Sequence, residues 1–153
     1  LFGKFGVMSE SEMNSRREIF FENYRKIKNI EAKTMLEMTS RDYIPAVNKY
    51  LSELSASVIA LLSVVPSVNA CSQRKHIEEL SELLHETYEA YAALSVADDK
   101  AVHMENAEEA AFFYKGEVAA AMDRLRQAVD GMEVLTAREH WPVPTYGDMT
   151  YRI

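Results

Sequence analysis

The chain has 153 residues, enough for one compact domain or one appendage of a larger protein. Apolar residues make up 48% of it and only 5 Gly and 4 Pro interrupt them, which argues against a disordered segment and leaves the long unpunctuated stretches that helices need. A net charge of −7 argues against a general nucleic-acid surface, the single Cys71 excludes an internal disulfide or a cysteine zinc cluster, and the most apolar run, Val58–Val65, is too short to cross a bilayer.

The chain opens Leu1-Phe2-Gly3-Lys4-Phe5-Gly6, without an initiator Met and without a cationic leader ahead of an apolar core; the expectation is a piece of a longer protein. A first helix is announced by Ser9 with Glu12 three residues later, the spacing of a capping box, and Ser11 competes as the cap. Met13, Ile19, Phe20, Tyr24, Ile27, Ile30, Met35 and Met38 then recur in a helix-compatible register. Pro45 brings no amide proton and a ring that crowds the preceding turn, so a break or kink is expected near Asp42–Pro45. Beyond it Val47, Tyr50, Leu51, Leu54, Val58 and Leu61 or Leu62 form the next packing stripe, ended by a turn at Pro66 and Asn69.

Ser72 is the expected cap of a helix over 73–95, with Ile77, Leu80, Leu84, Tyr88 and Tyr91 on one face. Asp98-Asp99-Lys100 reads as a connection, or alternatively as the acidic first turn of the helix that follows. In that helix Met104, Ala107, Ala111, Tyr114, Val118, Met122, Leu125, Val129 and Met132 keep three- and four-residue spacings, the seam of a bundle, and it is expected to stop near Glu139. Gly116 and Gly131 interrupt it, and close packing would explain one of them. Two amphipathic helices joined by a short link bury their stripes on each other. The expected fold is therefore all-α: an antiparallel bundle of three to four helices, the first long and kinked near Pro45, closed by an irregular Trp/Pro-rich tail. If the first helix does not fold back, its apolar face docks on something else.

Candidate chemistry is sparse. Glu82 and His85 have the spacing of a carboxylate-bridged metal bundle, but no second Glu-x-x-His exists and Glu82 points away from the apolar stripe. Cys71 and His76 sit five residues apart across a helix start, without an orienting acid. His103 and His140 have no ligand-like company, and no phosphate loop or zinc-protease pattern occurs. Residues 1–50 hold nine Lys/Arg against seven Asp/Glu, and residues 51–153 eight against seventeen. The one modest basic patch, Arg16-Arg17 with Arg25-Lys26-Ile27-Lys28, is diluted by Glu18, Glu22 and Glu31 and reads as ordinary salt bridging or an interface. Trp141-Pro142-Val143-Pro144-Thr145-Tyr146-Gly147 joins one large aromatic anchor to two residues of fixed φ, a stiff segment suited to packing across the helices or onto a partner. No catalytic, cofactor-binding or metal-binding residue is assigned.

Several blocks in order resemble the C-terminal segment of type III glutamine synthetases. Leu1-Phe2 through Gly6-Val7, Ser9-Glu10 and Ser15-Arg16 are similar to the end of that family's catalytic domain. Glu18-Ile19, Glu22-Asn23-Tyr24 and Ile30-Glu31-Ala32-Lys33-Thr34-Met35 match its long helix, and Ile44-Pro45-Ala46 the short element that follows. Leu125-Arg126, Asp130 and Trp141–Asp148 are similar to its closing stretch. Departures are mild: Gly131 where an acidic residue is more typical, and Val143 where an aromatic is.

The resemblance implies that residues 1–40 hold the end of the catalytic-domain segment with the first long helix, and 41–153 a helical extension with a docking tail. It further implies a cytoplasmic parent enzyme that joins glutamate and ammonia through a γ-glutamyl phosphate, using ATP and Mg²⁺ bound outside this chain. The partners it implies are the upstream catalytic domain and the neighbours in a homo-oligomeric ring, with no nucleic acid and no membrane. An independent helical adaptor or regulatory binding module is the alternative. The appendage reading expects an exposed apolar strip along residues 13–38.

Overall fold

In the computed structural model, which describes residues 8–144 and 146–150, all regular structure among the described residues is helical. The order is α1 (Glu10–Met38), a π turn (Thr39–Tyr43), α2 (Ile44–Val64), α3 (Cys71–Val102), α4 (Ala107–Phe113), a second π turn (Tyr114–Val118), α5 (Ala119–Leu135), a 3₁₀ turn (Arg138–His140) and a short α6 (Tyr146–Thr150). Three rods result. The long first rod runs from α1 through α2, α3 returns beside it, and α4–α5 run forward again.

The first rod starts as its sequence demands. Ser9 is the N-cap: its hydroxyl accepts from the Glu12 amide at 3.2 Å, while the Glu12 carboxylate accepts from the Ser9 amide at 2.8 Å. These bonds, the backbone one first, hold the Glu12 carboxyl below its ordinary pKa. The interruption expected near Asp42–Pro45 takes the form of a π turn in an unbroken helical path. Pro45 cannot donate to the carbonyl four residues back, and the Ile44 amide instead donates to Thr39, five residues back. The rod therefore spans 10–64, about 80 Å at 1.5 Å per residue.

Two expectations about α3 are corrected. Its N-cap is Ala70 and not Ser72; the Asn69 side chain accepts from the Cys71 amide at 3.0 Å, so the helix begins before Ser72 is reached. It also runs through Asp98-Asp99-Lys100 to Val102 and does not yield to a connection there. The connection lies at 103–106, where Asn106 caps α4 by accepting from the amides of Glu108 and Glu109. The buried stripe of α3 is Leu80, Leu84, Thr87, Ala90, Leu94, Asp98 and Ala101, with Tyr91 half-buried. Tyr88, expected inside, is half exposed, and Thr87 takes the inward place with its hydroxyl turned back to the Leu83 carbonyl.

Along the facing rod Ala111, Tyr114, Val118, Leu125, Val129 and Met132 are buried. Thr87 against Met132, Leu83 against Gly131 and Glu89 against Arg124 show α3 and α5 running antiparallel, as expected for two stripes joined by a short link. The helix ends at Leu135, four residues before Glu139, because Thr136 turns extended and closes it. Of its two glycines, Gly131 is the close-packed one: a Cβ there would lie 3.0 Å from Leu83 Cδ2, whereas one at Gly116 meets open space.

The chain then folds back onto the first rod. Trp141 is buried and stacks on Tyr43 of the first π turn, ring centres 5.1 Å apart and planes 15° from parallel. His140 lies 5.1 Å from the Tyr50 ring, with Nε2 3.2 Å from the Glu53 carboxylate. Of the expected tail, Thr145 and residues 151–153 lie outside the described residues, as does the side chain of Tyr146.

Candidate docking surface

α1 has two dissimilar faces. Its inward side carries Ala32 and, at the π turn, Thr39, both buried, with Tyr24, Met35 and Leu36 partly covered. On its outward side Ile19, Phe20, Ile27 and Ile30 are each more than half exposed. At about 100° per residue these four fall within roughly 100° of one another, on the side opposite Ala32. The positions between them on that face are Asn23 and Thr34, and the Thr34 hydroxyl is already used, donating to the Ile30 carbonyl at 2.8 Å. From Ile19 to Thr34, about 22 Å of helix, the outer face therefore carries no charge. Covering its apolar groups would contribute on the order of 1 kcal/mol for each side chain. This is the exposed strip that the sequence led one to expect along residues 13–38.

The inner side of α1 is fixed by a buried polar knot that sequence reasoning missed. Asp98 on α3 is buried; its two carboxylate oxygens accept from the Asn29 amide nitrogen at 3.0 and 3.1 Å, and Oδ1 also accepts from the Tyr114 hydroxyl at 3.0 Å. One carboxylate thus ties all three rods together. Beside it, the Arg25 guanidinium donates to the Met104 carbonyl at 3.2 Å, holding the α3–α4 connection against α1. Burial, and then the Asp98 carboxylate, push the Tyr114 phenol up to about 12.

The other residues singled out by sequence lie apart from this knot. Glu82 and His85 are both on the exposed side of α3, and His85 Nε2 lies 3.6 Å from Glu89. Cys71 is exposed at the start of α3, whereas His76 meets the Tyr50 ring edge-on. His103 is exposed and its Nδ1 lies 2.7 Å from the Asp99 carbonyl oxygen. In the basic patch, Arg17 pairs with Glu108, Arg25 and Lys26 with Glu22, and Lys28 with Glu31. The Glu31 hydrogen bond raises the pKa of Lys28. Most of the patch is therefore spent on salt bridges.

Comparison with known proteins bears on what the strip faces. Residues 1–61 match the family model described as the glutamine synthetase C-terminal domain, a span that covers α1 and nearly all of α2. The whole chain is 31% identical to a glutamine synthetase of Butyrivibrio fibrisolvens, over 22% of that protein's length. The chain is similar to one part of these glutamine synthetases. Two further glutamine synthetases agree: the type-3 enzyme of Dictyostelium discoideum is 26% identical over 99% of the chain and 21% of its own length, and that of Bacteroides fragilis 22% identical over 95% and 20%. The chain thus spans about a fifth of the length of the glutamine synthetases it matches. No solved structure matches it.

Proposed function

We propose that the chain is the non-catalytic C-terminal helical part of a cytoplasmic glutamate–ammonia ligase, a protein that converts ATP, glutamate and ammonia to glutamine, ADP and phosphate. In this reading residues 1–40 belong with the catalytic body and 41–153 form an extension that braces it or contacts neighbouring subunits of a homo-oligomeric ring. The observation that carries the reading is the charge-free outer face of α1, inside the span that matches the glutamine synthetase C-terminal family. A long helix that is apolar on both sides lies between two bodies, and the bundle supplies only one of them.

ATP and Mg²⁺ are assigned to the rest of the parent protein. Among the described residues no three His, Cys, Asp or Glu side chains converge as a cation would require, so the donor chemistry here does not fit the ion. No described helix is long and apolar enough to cross a membrane.

Deleting residues 41–153 from the full-length parent, then measuring oligomer mass and glutamine formation together, tests the proposal. Loss of activity with the assembly intact identifies local bracing, and loss of the assembly identifies subunit contacts. Full activity with an unchanged mass contradicts both.

A further inference from the structure

Phe20 and Phe112 flank a notch of about 300 Å³ between α1 and α4, lined also by Phe21, Tyr24, Ala111 and Lys115. The notch is built before anything enters it. The Phe21 ring stands 6.3 Å from Phe20 and 6.0 Å from Phe112, and the Arg17 guanidinium covers its face at 5.8 Å while paired with Glu108. Phe20 and Phe112 are nonetheless more than half exposed. Two phenylalanines left open on either side of one apolar recess mark a binding surface. Lys115 sits at its rim within the second π turn, exposed and in no ion pair among the described residues, whereas Arg17, Arg25, Lys26 and Lys28 on the neighbouring helix are all paired.

We propose that this notch receives one large apolar side chain from the remaining part of the parent polypeptide, carried on a segment whose carboxylate, within one helical turn, pairs with Lys115. The inference rests on the reading of the chain as part of a longer glutamine synthetase, and it names the chemistry of the docking partner. The notch continues the charge-free strip through Phe20, so one body covers both. About four-fifths of the matched relatives' length lies outside the region the chain covers, which is ample source for that body. A second copy fits less well. In a two-fold pairing the same patch meets itself, and neither the strip nor the notch lining carries a carboxylate to pair with Lys115. A carboxylate-bearing partner satisfies Lys115 in a chain that is otherwise acidic.

The test is photo-crosslinking in the full-length parent with Phe112→p-benzoylphenylalanine and, separately, Ile27→p-benzoylphenylalanine on the strip. The expected product from position 112 is an intramolecular crosslink to an apolar residue outside this segment, with Asp or Glu three or four positions away. Lys115→Glu should lower its yield about tenfold and Lys115→Arg restore it. A crosslink to a second copy of this segment, no crosslink, or a yield indifferent to Lys115→Glu overturns the proposal. If position 27 crosslinks to the parent body and 112 does not, docking through α1 stands and the notch proposal falls; if neither does, both fall.

Discussion

Replacing Asp98 with alanine is expected to destabilise the chain by about 3 kcal/mol, a fall in midpoint of roughly 10 °C for a chain of this size. The substitution removes little volume. Its effect comes from the Asn29 amide and the Tyr114 hydroxyl, which lose the acceptor they share inside the bundle. Tyr114→Phe removes one donor and leaves Asp98 bonded to Asn29, so about 1 kcal/mol is expected, and the two substitutions together should cost less than their sum. Replacing the whole knot, with Asn29→Leu, Asp98→Leu and Tyr114→Phe combined, should recover much of the loss. Thermal unfolding followed by circular dichroism measures all four, and an Asp98→Ala effect under about 0.5 kcal/mol would show that the knot does not hold the rods.

The same site sets a dependence on alkali. Tyrosine in the unfolded chain ionises near 10, and the buried Tyr114 only at about 12, so the fold favours the protonated phenol. That contribution, on the order of 2 kcal/mol, is complete below pH 10 and disappears as the pH rises to 12. Tyr43, raised by burial and then by Glu133, Asp42 and Asp130, acts in the same direction. Tyr114→Phe should flatten the decline without abolishing it.

The second large effect is expected at Trp141. Truncation to alanine empties the site against Tyr43 and should cost about 3–4 kcal/mol. Phenylalanine should cost only about 1 kcal/mol, because it keeps a ring on Tyr43 and removes the indole N–H, a buried donor with no acceptor among the described residues. Equal losses for the two variants, read by urea unfolding, would show that the indole nitrogen has a partner or that the stack contributes nothing. Trp141→Ala should also raise the exposure of His140 at Tyr50, since the 3₁₀ turn joins the two anchors.

Much of this fold is legible in the residues because it rests on short-range rules. The capping box at Ser9 and Glu12, the effect of Pro45 and the stripe from Ala111 to Met132 involve groups three to five positions apart, where helix geometry leaves few alternatives. What escaped has long-range causes. Asp98 looks like part of an acidic connection until its partners are known, and these lie 69 and 16 residues away. One local signal did exist: seven-residue steps from Leu80 through Thr87 and Leu94 to Ala101, and from Leu84 through Tyr91 to Asp98, place that carboxylate on the buried seam. The cap at Ser72 failed for a local reason instead: Asn69, three residues earlier, reaches the Cys71 amide first. Phe112 could not be identified as exposed from a pattern in which neighbouring Ala110 and Ala111 are the buried residues.

The strip on α1 was expected because a helix that packs on the rest of a longer protein shows that apolar face when described without it. Its meaning is tested most directly by side-chain footprinting of Phe20, Ile27 and Ile30 in two settings, the 153-residue chain alone and the full-length parent. Docking predicts strong labelling of all three in the isolated chain and protection of all three in the parent, with exposed Val96 and Val134 as references. Equal labelling of the strip in both settings, with the helices intact, would contradict it.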